Sequence, residues 1–167
     1  MTALKPISRD AIPRALEKAE RYRMLDEPFF AESICLDVLT ADPAHQKALA
    51  IYVLSLTDQL KAGHSAGSAA KARSALERFT TDFDRLYYAG IISERSAVAL
   101  LESSRTGVAD AAWHHLQEAM KSYEQADAKQ ADATNDDALL RYNTCLRLID
   151  AHRLIEPAQE RHDYPLE

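Results

Sequence analysis

The sequence predicts an all-α protein of six to seven helices arranged as antiparallel hairpins. Three observations predict it. Only four glycines and six prolines punctuate 167 residues, too few for a loop-rich or all-β chain. Hydrophobic residues make up 47% of the chain, with Ala and Leu prominent, which is the balance of a helical globular protein. Apolar residues recur at i, i+3 and i+4 through successive segments, and no segment reads as a strand. The length suits one domain, about residues 1–156, followed by a polar tail at 157–167 that is expected to fray.

The elements follow in order. Ser8 or Asp10 caps a first helix that runs to about Leu25, with Ile12, Leu16, Ala19 and Met24 at helical spacing. A second helix covers residues 28–41 and carries Pro28 in its first turn, where the missing N–H costs nothing. A third, over residues 44–62, repeats Leu49, Tyr52, Val53, Leu56 and Leu60, then stops at Gly63. The linker GHSAG (63–67) reads as an exposed, mobile turn. Residues 68–79 form a fourth helix with Ala72, Leu76 and Phe79 in register.

Thr81 or Asp82 caps a long fifth helix reaching about Ser103, with Gly90 either inside it or marking a kink. Thr106 and Gly107 break the pattern, and residues 108–128 form a sixth helix burying Ala112, Leu116, Ala119, Met120 and Tyr123. After a polar stretch, Asn135 or Asp136 caps a last helix over residues 136–154, expected to bury Leu139, Leu140, Tyr142, Leu146 and Ile149. Short breaks between long helices give hairpins at about 9–42, 44–80 and 82–128, with the last helix closing the open end.

The run AERYRMLDEPFFAESICLDVLTADP (19–43) is the most specific segment. Ala19 stands three before Tyr22, and Ala31 precedes Cys35 and Val38 at i+4 and i+7. Asp42 and Pro43 form the stop. Small residues let two antiparallel backbones approach, and the larger ones fill the seam. The small-large-large spacing recurs from Ala72 and from Ala112, so the starts lie 41 and 40 residues apart. This pattern resembles the tetratricopeptide-repeat (TPR) superfamily, in a small bacterial member with degenerate repeats longer than the usual ~34 residues. Ala15 and Lys18 stand where that family prefers an aromatic and an aliphatic residue.

The resemblance implies a short right-handed solenoid that is non-catalytic and holds a protein or peptide partner in its concave groove. On the usual stacking, the first helix of each hairpin lines that groove. The first hairpin then supplies Leu16, Glu20, Arg23 and Met24, and the second Lys47, Ala50, Leu54, Thr57 and Asp58. The third supplies Tyr87, Tyr88, Ile91 and Arg95, and Asn143, a polar residue in mid-helix, is a further candidate. A clamp for a C-terminal carboxylate is excluded, because Glu20 would meet it with like charge. A secretion-type chaperone and a homodimerisation module are the alternatives within binding proteins. A small-ligand sensor or enzyme built on Arg95, Asn143 and a histidine ranks below them.

Charge and chemistry narrow the classes further. Net charge is −6, with thirteen Lys and Arg against fourteen Asp and Glu in residues 1–104 and seven against twelve in 105–167. That sign disfavours nucleic acid, whose binding rests on clustered Lys and Arg. No run approaches the ~20 apolar residues of a membrane span, and the first fifteen residues lack a signal-peptide core, so a cytoplasmic protein is expected. Cys35 and Cys145 sit in apolar helical positions and read as reduced, buried thiols. His114 and His115 point about 100° apart on a helix and make a poor metal pair, although Glu118 can pair with His114 at i+4. Neither a nucleophile elbow nor a phosphate loop is present, and the paired acids Asp82/Asp84 and Asp136/Asp137 fall at helix starts, where they stabilise the dipole. No cofactor or catalytic residue is expected.

Overall fold

The structure is a computed structural model that describes residues 3–62 and 65–158. Among these residues it contains seven α-helices and no strand. They are α1 (Ile12–Met24), α2 (Pro28–Ala41), α3 (Gln46–Asp58), α4 (Ser65–Ala75), α5 (Asp82–Leu101), α6 (Ala109–Asp127) and α7 (Asp137–Ala151). Short 3₁₀ turns precede α1 and follow α3 and α4. Consecutive helices pack against each other, and α1, α3 and α5 also touch in succession. Gly63 and His64 of the expected linker, and the tail from residue 159 onward, lie outside the described residues. From Ser65 the chain is helical, so α4 begins earlier than the glycine pattern indicated.

Side-chain capping explains where α3 and α5 start. Thr81 Oγ1 accepts the Asp84 N–H at 3.0 Å at the head of α5. At α3 the cap is His45, whose Nδ1 accepts the Ala48 N–H at 3.2 Å. Ahead of α7 the Asn135 Oδ1 accepts the Asp137 N–H at 3.0 Å in a turn that leads into the helix, while Asp136 at the N-cap makes no side-chain capping bond. Ser8 makes no capping bond, and a 3₁₀ turn leads into α1 instead. The C-terminal ends of α1 and α7 close alike. Asp26 and Arg153 adopt positive φ (58° and 50°), and Glu27 and Leu154 donate back to Tyr22 and Ile149 at 2.9 Å.

Two cores share α5 as a wall. The first joins α1 to α4 through Leu16, Ala19, Ala31, Cys35, Val38, Leu49, Leu56, Ala72 and Phe79. The second joins α5 to α7 through Ala112, Leu116, Ala119, Tyr123, Ala138 and Cys145. Adjacent residues on α5 divide between them, Ile92 to the first and Ile91 to the second. That split is what a ~100° step between neighbouring helical side chains allows. Tyr88 packs against both cores and stacks on Phe79 at 4.7 Å.

Gly90 passes through the middle of α5 without interrupting it. A Cβ there would lie 2.5 Å from Cε1 of Tyr123, so the glycine is what lets α6 press its largest buried ring onto the α5 backbone.

The last helix corrects an expectation. Leu139, Leu140 and Leu146 are exposed (47%, 61% and 44%), whereas Ala138 and Cys145 are buried. The small pair, seven residues apart, sets the contact line and draws α7 close to α6. The bulky leucines are left on the flanks because no further helix covers them among the described residues.

Candidate functional site

The alternate helices α1, α3 and α5 present one shared cleft of about 480 Å³, lined by Glu20, Arg23, Met24, Asp26, Asp58, Lys61 and Arg95. Its centre is a carboxylate held between two guanidinium groups. Arg23 Nε donates to Asp58 Oδ2 at 2.8 Å, and Arg95 Nη1 lies 3.5 Å from Asp58 Oδ1. One residue thus comes from each of three helices that are far apart in sequence. Asp58 side-chain exposure is 17%, low enough for the arrangement to outlast ordinary salt screening better than a surface pair. On the rim, Lys47 and Glu20 pair at 3.1 Å with both side chains well exposed, a contact worth only a few tenths of a kcal/mol. Met24 stands at the edge, 87% exposed.

Of the fourteen candidates read from sequence, the structure brings Glu20, Arg23, Met24, Asp58 and Arg95 to this cleft, with Lys47 beside Glu20. The other groove candidates belong to the interior: Thr57 and Ile91 are buried at 1% exposure, Tyr88 packs between the two cores and Ala50 packs against the first. Leu16 is buried in the first core at 3% exposure, and Leu54 packs half-buried against the second. Tyr87 stacks on Phe83 at 5.5 Å and meets Tyr123 at 6.0 Å, inside the α5–α6 seam. These side chains turn inward because the packing of α1, α3 and α5 against their neighbours decides which edge of each apolar stripe faces the core. Asn143 is half-buried on α7, the helix that packs on α6 rather than on α1 or α3.

Sequence reasoning missed Lys61 and Asp26, which enter the cleft from turns. It also missed a buried polar network. Glu94, 4% exposed on α5, accepts from the Tyr123 hydroxyl at 2.6 Å and from Arg141 Nη1 at 2.8 Å. Burial, reinforced by the Glu94 carboxylate, drives the Tyr123 hydroxyl far above its ordinary value. Burial works against the Arg141 charge, but Glu94 and a hydrogen bond with Tyr87 outweigh it and hold the guanidinium above its usual value. A second buried acid, Glu32, takes Gln59 Nε2 at 2.6 Å and Lys71 Nζ at 3.2 Å. The only sequence signal for either acid was a charge at an otherwise apolar helical position.

Both thiols are free, buried and pushed up to about 12, chiefly by burial, as befits inert core residues. The expected His114–Glu118 pair is replaced by His115, whose Nδ1 lies 3.5 Å from Glu118 Oε2. Among the described residues no three His, Cys, Asp or Glu side chains converge as metal ligands, and no helix is long and apolar enough to cross a membrane. Compared with family models, curated proteins and solved structures, the chain matches none.

Proposed function

We propose that the protein is a TPR-like helical scaffold that binds a peptide or protein segment across the cleft shared by α1, α3 and α5. The observation that carries this reading is the Arg23–Asp58–Arg95 arrangement, in which a pre-set charge pattern lies between three alternate helices with exposed Met24 beside it. A pre-organised polar centre fixes the register of a bound segment at little ordering cost, and a flexible thioether at the rim gives it apolar area. The cleft carries Arg23, Lys61 and Arg95 against Glu20, Asp26 and Asp58, so it suits a segment of mixed charge.

Panning a random peptide library against the protein tests the reading. The enriched peptide is then titrated by fluorescence anisotropy against wild type, Met24→Asp, Arg95→Gln and the control Lys121→Glu. The first two variants are expected to weaken binding about tenfold, which is 1.4 kcal/mol, and the control to leave it unchanged. A library that yields no binder, or a binder indifferent to Met24→Asp and Arg95→Gln, overturns it. Met24 is almost fully exposed, so its substitution leaves the fold intact.

A further inference from the structure

A second concavity lies on a different part of the molecule, between α4 and the C-terminal half of α5. It arises from unequal helix lengths. The eleven residues of α4 reach only about half as far as the twenty of α5, roughly 16 Å against 30 Å. Where α4 ends, the two are clamped by the Phe79–Tyr88 stack at 4.7 Å and by Arg85 Nη1 donating to the Phe79 carbonyl at 2.7 Å. Towards the start of α4 the helices leave a crevice of about 460 Å³, within the ordinary range for small-molecule sites. Its floor is apolar, made by Leu60, Ala69, Ala99 and Leu100.

The rim is cationic in a chain whose net charge is −6. Lys61, Arg73 and Arg105 all line the crevice, and the one carboxylate among the lining residues is Glu102, 3.7 Å from Lys61 Nζ. Arg73 and Arg105 enter no ion pair among the described residues. The hydroxyls of Ser96 and Ser103 donate to carbonyls of their own helix, so the donors left for a ligand are the cationic ones. His115 also lines the crevice, but its Nδ1, shielded from solvent and without a hydrogen bond, lies 3.5 Å from Glu118 Oε2 and is not among the groups that hold the anion. A solvated surface would scatter such charges. Here two unpaired guanidinium groups and a lysine surround one apolar floor.

We infer that this crevice is a binding site for an anionic group carried on a short apolar body, with Arg73 and Arg105 holding the anion and Leu60 and Leu100 the apolar part. The guanidinium fork suits a carboxylate or phosphate, and the low-polarity floor strengthens the contact relative to open water. Such a group comes either from a free organic acid or from an acidic side chain next to an apolar residue in a peptide. The site is separate from the α1/α3/α5 cleft except for Lys61, which borders both, so the test leaves Lys61 alone.

Isothermal titration of the full chain with hexanoate, with neutral hexanol, and with a capped peptide bearing one glutamate between two leucines tests it. The variant is Arg73→Gln/Arg105→Gln, whose side chains are exposed, so its helical signal is expected to match wild type. Binding of hexanoate or of the peptide, absent for hexanol and weakened about tenfold or more in the double variant, supports the site and names the source of the anion. Absence of binding by both anionic probes, or binding that survives in the double variant, overturns it. The same variant must keep its affinity for a peptide enriched on the α1/α3/α5 cleft, so loss of one site is distinguishable from loss of the other.

Discussion

The two halves of the molecule, α1 to α4 and α5 to α7, are both built of packed helices but are held together differently. In α1 to α4 the core is closed by small residues such as Ala19, Ala31 and Ala72 and by aliphatic side chains between them, and the buried hydroxyls of Ser55 and Thr57 donate to carbonyls of their own helix. Its buried acid, Glu32, sits at the edge and is answered by Gln59 and Lys71. In α5 to α7 the centre is polar. Glu94 ties α5 to Tyr123 of α6 and to Arg141 of α7, and the Tyr123 ring lies flat against Gly90. The first half gains stability from area removed from water, and the second gains register from one ionised group that three helices must satisfy together. Both halves leave apolar side chains exposed, Leu25, Phe29 and Phe30 in the first and Leu139, Leu140 and Leu146 in the second, and the Arg23–Asp58–Arg95 cleft joins α1 and α3 to α5 across the boundary.

Substitutions sharpen this contrast, and the largest effect is expected at Glu94. Glu94→Ala strands the Arg141 charge and the Tyr123 hydroxyl, at about 3–5 kcal/mol, measurable as a lower urea midpoint. A loss under about 1 kcal/mol would erase the distinction between the halves. Leu49→Ala in the first core is expected to cost about 2–4 kcal/mol by the same assay, since Leu49 is fully enclosed.

Gly90→Ala follows at about 1–3 kcal/mol. The added methyl meets a ring whose hydroxyl is tied to Glu94, and this outweighs the ~1 kcal/mol helix-propensity gain. A stabilising outcome would mean that Tyr123 moves freely.

Alkaline pH probes both halves at once, through Cys35 in the first core and Cys145 in the second. Each thiol is raised from the ordinary 9.0 to about 12. Between those values the unfolded chain loses protons that the folded chain keeps. The contribution of each thiol is therefore fully present below pH 9.0 and is lost progressively as pH rises towards about 12. Cys35→Ala and Cys145→Ala should each flatten that slope, and a slope untouched by both would show that the thiols reach water.

The smallest effects belong to the surface. Leu140→Ser is expected to change stability by less than about 0.5 kcal/mol in thermal melts, and a larger loss would mean that the face of α7 is covered. Asp26→Gly, at a position of positive φ, is expected to raise stability by about 1 kcal/mol or less.

The helices were legible in the sequence, because periodicity and capping are local. Residues 28–41 match α2 end to end, and the breaks at Asp42–Pro43 and Thr106–Gly107 separate the elements as their turn chemistry dictates. The seams were legible too, since Ala31, Cys35 and Val38 are buried at the spacing that let two backbones meet. Tertiary structure alone decided which edge of each stripe faces inward. Leu16 and Tyr87 turned into the interior while Arg23, Asp58 and Arg95 came together, although the same 3.6-residue pattern holds them all. A single helix specifies an angle around its own axis; only the packing of three helices at particular distances specifies that two arginines share one aspartate, or that Glu94, Tyr123 and Arg141 meet. Those contacts join residues 29 to 47 positions apart, a range no local pattern encodes.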